Sequence, residues 1–219
     1  TGDTLIEGGS LEVRGTLSDK TAVTVGTAKG VFDSATYSVK LTDTIGSIAG
    51  SGLILLDDDI TLKAGANNSS TTFSGFILGN PNGKANGSFA KTGSGTLILS
   101  GINDYSGATL INQGTLQVTG TLSDSTAVSV SSGATYDVKS NDTIGSIAGA
   151  GSVVLADDIT LTAGANNSST TFTGKISGKG NFTKDGSGTL SISGKNALQL
   201  QGKTTVKAGT IDFGTTSQE

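Results

Sequence analysis

The 219-residue chain has no cysteine, histidine, methionine or tryptophan, and one proline, Pro81. Without histidine or cysteine the common nucleophile–base pairs are excluded, and most transition-metal sites with them. The lack of cysteine also excludes disulfides. That suits a protein that crosses membranes unfolded, but it suits many cytosolic proteins as well. A net charge of −4 and a pI near 4.7 leave nothing to neutralise phosphates, so no nucleic-acid partner is expected. No apolar run approaches the roughly 20 residues of a membrane-spanning helix, and no direct membrane insertion of this segment is expected. No signal-peptide pattern is visible and the chain starts at Thr1, which points to a processed or excised piece.

What is abundant is glycine, 34 residues of it, together with threonine, serine, asparagine and β-branched or leucine side chains. The apolar residues alternate with polar ones in short runs, as in Leu97 and Leu99, or Leu116 and Val118. Alternation at period two marks strands with one buried face. Gly101, Gly107 and Gly114 fall between the runs, where the chain must turn. Regular apolar spacing at low charge argues against disorder, so the chain reads as nearly all β.

The sequence also repeats itself. GTLSD at Gly15 returns at Gly120, DTIGSIAG at Asp43 returns at Asp142, AGANNSSTTF at Ala64 returns at Ala163, and GSGTL at Gly93 returns at Gly186. The offset falls twice by six residues, which locates insertions in the first copy between Val25 and Tyr37 and between Phe73 and Gly93. The copies run over about 4–108 and 109–203, with a partial third at 204–213 and a tail at 214–219, all within one continuous domain, 1–219. Short strands separated by turns suit a coil of three strands and about 20 residues per turn, within the range of solenoids. Each copy then makes about five turns and the chain about ten. At ~4.8 Å per turn the rod is about 50 Å long. In such a coil each turn pairs with those above and below, apolar residues stack inward, and extruded loops leave the downstream pattern intact. A two-sheet sandwich does not explain that tolerance.

Residues 93–118 resemble the passenger-associated transport repeat of bacterial autotransporters. The match runs through Gly93-Ser-Gly95-Thr-Leu97, Leu99-Ser-Gly101, Tyr105-Ser-Gly107 and Thr109-Leu-Ile111-Asn-Gln-Gly114-Thr-Leu116. At 186–213 it is partial: Tyr105 has no counterpart and two residues are added before Thr204. The start of the chain carries only its second half. The resemblance implies a single-stranded right-handed parallel β-helix, exported by type V secretion and secreted or held at the bacterial surface through an outer-membrane barrel. It also implies that the repeats assist secretion and folding.

Several side chains qualify as candidate site residues. Asp57-Asp58-Asp59, echoed by Asp157-Asp158, is the best carboxylate cluster for a polysaccharide-active enzyme or for calcium. Its position between Leu56 and Ile60, and its recurrence, favour a polar corner of the scaffold. Asn67-Asn68 and Asn166-Asn167 read either as a polar ledge for carbohydrate or as turns whose amides bond neighbouring backbone; the turn is favoured. Tyr37 and Tyr136 are repeat equivalents and read as packing residues, as does Tyr105. No Thr-x-Thr column in successive turns supports an ice-binding face. No catalytic, cofactor-binding or metal-ligating residue is therefore assigned, and no cofactor is expected.

The expected function is that of a structural stalk or adhesin segment, not an enzyme. Its receptor on host or neighbouring cells, protein or glycan, is left open, and any binding is expected at the insertions around Lys29–Asp33 and Gly79–Asn86. The alternatives are a self-associating filament stacked head to tail, since Thr4 and Thr204 fall at the same phase of the repeat, and a polysaccharide-active β-helix enzyme.

Overall fold

A computed structural model describes residues 2–26, 35–193 and 197–214. The described residues form 29 short strands and no helix, so none of them forms a helix long and apolar enough to cross a membrane. Every strand pair is parallel. Successive strands fall in rotation onto three faces of a β-solenoid of about ten turns. The A face is a ten-stranded sheet running from Thr4–Ile6 to Leu198–Leu200. The C face is nine-stranded, from Asp43–Ile45 to Thr210–Asp212. The B face comprises a six-stranded sheet, Ser10–Val13 to Thr121–Leu122, and a four-stranded one, Asp142–Ile144 to Thr204–Val206. In the first turn no strand occupies the C side, which is filled by Leu17 and its neighbours.

The sequence alternation becomes an inside–outside alternation. Val23, Ile48, Phe73, Leu99, Val118, Val138 and Leu155 point inward from the A face and are essentially inaccessible to water. Stacked apolar side chains of this kind supply most of the stabilisation, at roughly 25 cal/mol per Å² buried. The turns are unequal, from 17 residues (Tyr136 to Val153) to 27 (Leu62 to Phe89). Corners absorb the difference, so the registers of the strands are unaffected. Backbones close up at those corners. A Cβ on Gly101 would lie 1.8 Å from the carbonyl oxygen of Gly75, and one on Gly75 would lie 1.9 Å from that of Gly52.

The two sequence copies are not stacked in line. Ser47–Gly50 lies on the A face, but its repeat Ser146–Gly149 lies on the C face. Leu53–Leu56 lies on B and Ser152–Leu155 on A; Thr61–Ala64 lies on C and Thr160–Ala163 on B. A copy is therefore one side short of five full turns, and equivalent residues project a third of a turn apart. The insertion between Phe76–Gly79 and Ser88–Lys91 lengthens a corner without adding a side, so it does not restore the phase.

Candidate functional site

Residues 89–118 make one and two-thirds turns, so the first two strands lie against the last two. The second strand, Thr96–Leu99, pairs with the closing strand Thr115–Val118, matching Thr96 to Thr115 and Leu97 to Leu116. The repeated Gly-Thr-Leu phrase is thus the same position on the A face met one turn later. Residues 182–212 repeat the arrangement on the C face, where Thr189 pairs with Thr210 and Leu190 with Ile211.

Each of these units holds a buried lysine. Lys91 ends the strand Ser88–Lys91 with its side chain turned inward, and only 1% of it is exposed. Its Nζ donates to the carbonyl oxygens of Thr92 (2.6 Å), Gly93 (2.8 Å) and, one turn on, Gln113 (3.2 Å). Lys184 does the same with Asp185, Gly186 (2.8 Å) and Ala208 (3.5 Å). An ammonium carries three donors and no acceptor, so three corner carbonyls satisfy it. Burial pulls the Lys91 pKa down to about 8 and lowers that of Lys184, where the neighbouring Asp185 opposes the shift. The lysine adds to the backbone bonds that tie these successive corners together, such as Asn112 N to the Lys91 carbonyl (2.9 Å) and Lys207 N to the Lys184 carbonyl (2.8 Å). Its sequence signal was two residues ahead of each GSGTL phrase, where both copies carry lysine. Sequence reasoning passed over it because a lone lysine in a strand usually faces water.

The asparagine pairs fasten the same corners. Asn67 Nδ2 donates to Ser47 Oγ on the turn before (3.2 Å), and Asn68 Oδ1 accepts from Ser94 N on the turn after (2.9 Å). Asn166 with Ser146, and Asn167 with Ser187, repeat both bonds at the same lengths. Asn68 and Asn167 adopt φ of 63° and 60°, the left-handed region that asparagine tolerates. The AGANNSSTTF segments are thus staples between turns.

The acidic corners are occupied in a related way. Asp59 and Asp158 are repeat equivalents with φ of 58° and 59°. In the first copy the inserted loop around Gly79–Asn86 folds down onto the aspartates. Asn80 Nδ2 donates to Asp57 (2.7 Å), Lys84 N to Asp58 (2.9 Å) and Asn86 Nδ2 to Asp59 (2.7 Å). Lys40 also approaches Asp57 at 3.5 Å. The Asp57 carboxyl is held below its usual range, chiefly by the Asp58 backbone N–H. Where the second copy lacks the insertion, Ala156 replaces Asp57. The triplet therefore anchors its own loop. Among the described residues no group of three or more acidic side chains is placed to hold a metal ion. The other insertion, Lys29–Asp33, lies outside the described residues.

The three tyrosines are fully buried. Tyr105 packs near Phe89, with ring centroids 6.4 Å apart, and shares a 2.8 Å hydrogen bond with Thr109 Oγ1. Tyr136 OH donates to Asp142 at 3.5 Å, whereas Tyr37 OH has no partner. Asp142 is itself buried and accepts from Leu122 N (3.2 Å) and Thr143 N (3.1 Å), bridging the break in the B face. Burial raises its pKa to about 7 against the pull of those N–H donors. An open groove of about 680 Å³ lies outside this break, with Ile102, Asp104 and Asp124 on its walls.

Comparison with known proteins accords with this geometry. The family model of the passenger-associated-transport-repeat matches residues 89–118 and 182–212, both of which include the buried lysine. Over 149 residues, 64% of the chain, the sequence is 36% identical to "Adhesin BmaC autotransporter" of Brucella suis biovar 1 (strain 1330). The matched stretch spans 4% of that protein's length. No solved structure matches. The chain is a β-solenoid carrying two stretches that match the passenger-associated-transport-repeat, and it is similar in sequence to a small part of an autotransporter adhesin.

Proposed function

We propose that the chain is a non-enzymatic stalk segment of an adhesin that is secreted or displayed at the bacterial surface. The observation that carries this reading is the pair of self-stacking repeats, each closed by a buried lysine, within a passenger-type solenoid similar to part of an adhesin. A turn of the solenoid has no stable partner until the next one docks, so folding advances turn by turn. The lysine corners make a completed turn a firm template, because the ammonium gains its third carbonyl only when Gln113 or Ala208 arrives. Such a device suits a chain that emerges unfolded from a pore and folds outside without chaperones. Surface attachment goes through a barrel encoded elsewhere in the parent gene, recognisable as about a dozen amphipathic strands.

Beads coated with the purified chain test the adhesive part. They are expected to adhere to cultured cells above albumin-coated beads, and a screen of bacterial and host polysaccharides is expected to show no depolymerisation. Adherence equal to the albumin control, or cleavage abolished by Asp58→Asn with Asp158→Asn, would refute the reading.

A further inference from the structure

The sequence repeat supplies an internal control for what the scaffold needs on its outer surface, and one face departs from it. On the B face the strands Leu53–Leu56, Phe76–Gly79 and Ile102–Asp104 lie side by side. Their outward residues are Leu53, Leu55, Phe76, Leu78 and Ile102, with Leu53 level with Phe76 and Leu55 level with Leu78. Phe76 is 46% and Ile102 56% exposed. In the second copy the first four positions hold Ser152, Val154, Lys175 and Ser177, on the same two paired strands of the same fold. Four of the five apolar residues can thus be compared directly, and three of those are polar in the copy. Packing therefore does not require them, and a contiguous apolar patch on a soluble surface signals a partner.

The surroundings say what kind. The column of Leu55 and Leu78 continues into Asp104, and the groove beyond Ile102 carries Asp104 and Asp124, both exposed. Among the described residues no ion pair engages either carboxylate, and no lysine or arginine lines the groove. We infer that this part of the B face is a docking surface for a segment of another protein that presents large apolar side chains beside lysine or arginine. The apolar columns take the hydrophobic side chains, and Asp104 and Asp124 meet the cations. A second copy of the chain would set acidic grooves against each other, and a neutral glycan would leave the carboxylates unpaired. The inference rests on the adhesin reading and names its surface.

The probe is a short fluorescent peptide alternating leucine and lysine, with serine-for-leucine and glutamate-for-lysine analogues. The first variant, Leu53→Ser with Phe76→Lys and Leu78→Ser, installs residues that the second copy already tolerates, and its far-UV circular dichroism and unfolding midpoint check that it folds. The second is Asp104→Asn with Asp124→Asn. The intact chain is expected to bind the leucine–lysine peptide but neither analogue, more weakly as salt rises. Affinity is expected to drop about tenfold or more in the apolar variant and several-fold in the aspartate variant. Absent binding, or equal binding by the folded apolar variant, would overturn the inference. So would self-association lost in that variant, or glycan capture that needs Phe76 without peptide binding. Adherence of beads coated with the apolar variant separates the two claims: undiminished adherence ends this surface while leaving the adhesin reading intact.

Discussion

Replacing Lys91 by methionine keeps the length of the side chain and removes its charge, which makes it the sharpest perturbation of the repeat. Two effects oppose each other. Methionine relieves the burial of an ammonium whose pKa has fallen from 10.5 to about 8, a relief of about 3 kcal/mol at 1.36 kcal/mol per pKa unit. It also strips that donor from the carbonyls of Thr92, Gly93 and Gln113. Each charge-assisted bond contributes about 1.5–3 kcal/mol, so the three together contribute about 5–9 kcal/mol. The carbonyls stay at least partly shielded from water after the substitution, and the loss is expected to win by about 2–6 kcal/mol. Urea unfolding followed by far-UV circular dichroism reads it, with Lys63→Met on the more accessible side of the same face as a control near zero. Hydrogen exchange adds location, with protection lost first at residues 92–95 and 112–115. A Lys91→Met chain as stable as the parent, or more stable, would refute the reasoning.

Four further outcomes follow from the same contacts. Gly101→Ala sets a methyl 1.8 Å from the Gly75 carbonyl oxygen and is expected to cost at least about 3 kcal/mol by urea unfolding, whereas Gly15→Ala, with nothing within 4 Å, is near neutral. Tyr105→Phe is expected to cost about 1 kcal/mol for its bond to Thr109, while Tyr37→Phe, which deletes an unpartnered buried hydroxyl, is neutral or stabilising in the same assay. Asp142 binds its proton more tightly folded than unfolded, so its contribution is full below about pH 4 and is lost as pH rises to about 7; the unfolding midpoint of Asp142→Asn should fall less over that window. Asp58→Ala is expected to release residues 80–86, seen as faster proteolysis at that loop with the global midpoint shifted by less than about 1 kcal/mol.

The three-strand turn was legible because alternation, glycine corners and repeat spacing pointed to the same period. The Asn67-Asn68 and Asp57-Asp59 corners were legible as turns for a similar reason, since short polar residues at a left-handed bend recur at fixed places. The one-face displacement of the copies was not. It depends on whether a segment such as Gly15–Asp19 makes a side of the prism, as Thr121–Leu122 does in the second copy, and six inserted residues can enlarge a corner or add a strand. Lys91 stayed hidden because its partners are main-chain oxygens, which no residue type announces. The apolar patch stayed hidden because Leu53, Phe76 and Ile102 come together only once the register between turns is known.

The central claim is that the two Gly-Thr-Leu phrases of the first repeat lie side by side on adjacent turns. The absence of native cysteine allows it to be tested without background. Thr96→Cys with Thr115→Cys, register partners on the A face, is expected to oxidise to an intrachain disulfide in nearly every molecule of dilute protein, with the circular dichroism unchanged. Thr96→Cys with Thr121→Cys, on the A and B faces, is expected to remain reduced. Free thiols in the first pair, or a disulfide in the second, would contradict the stacked three-faced coil.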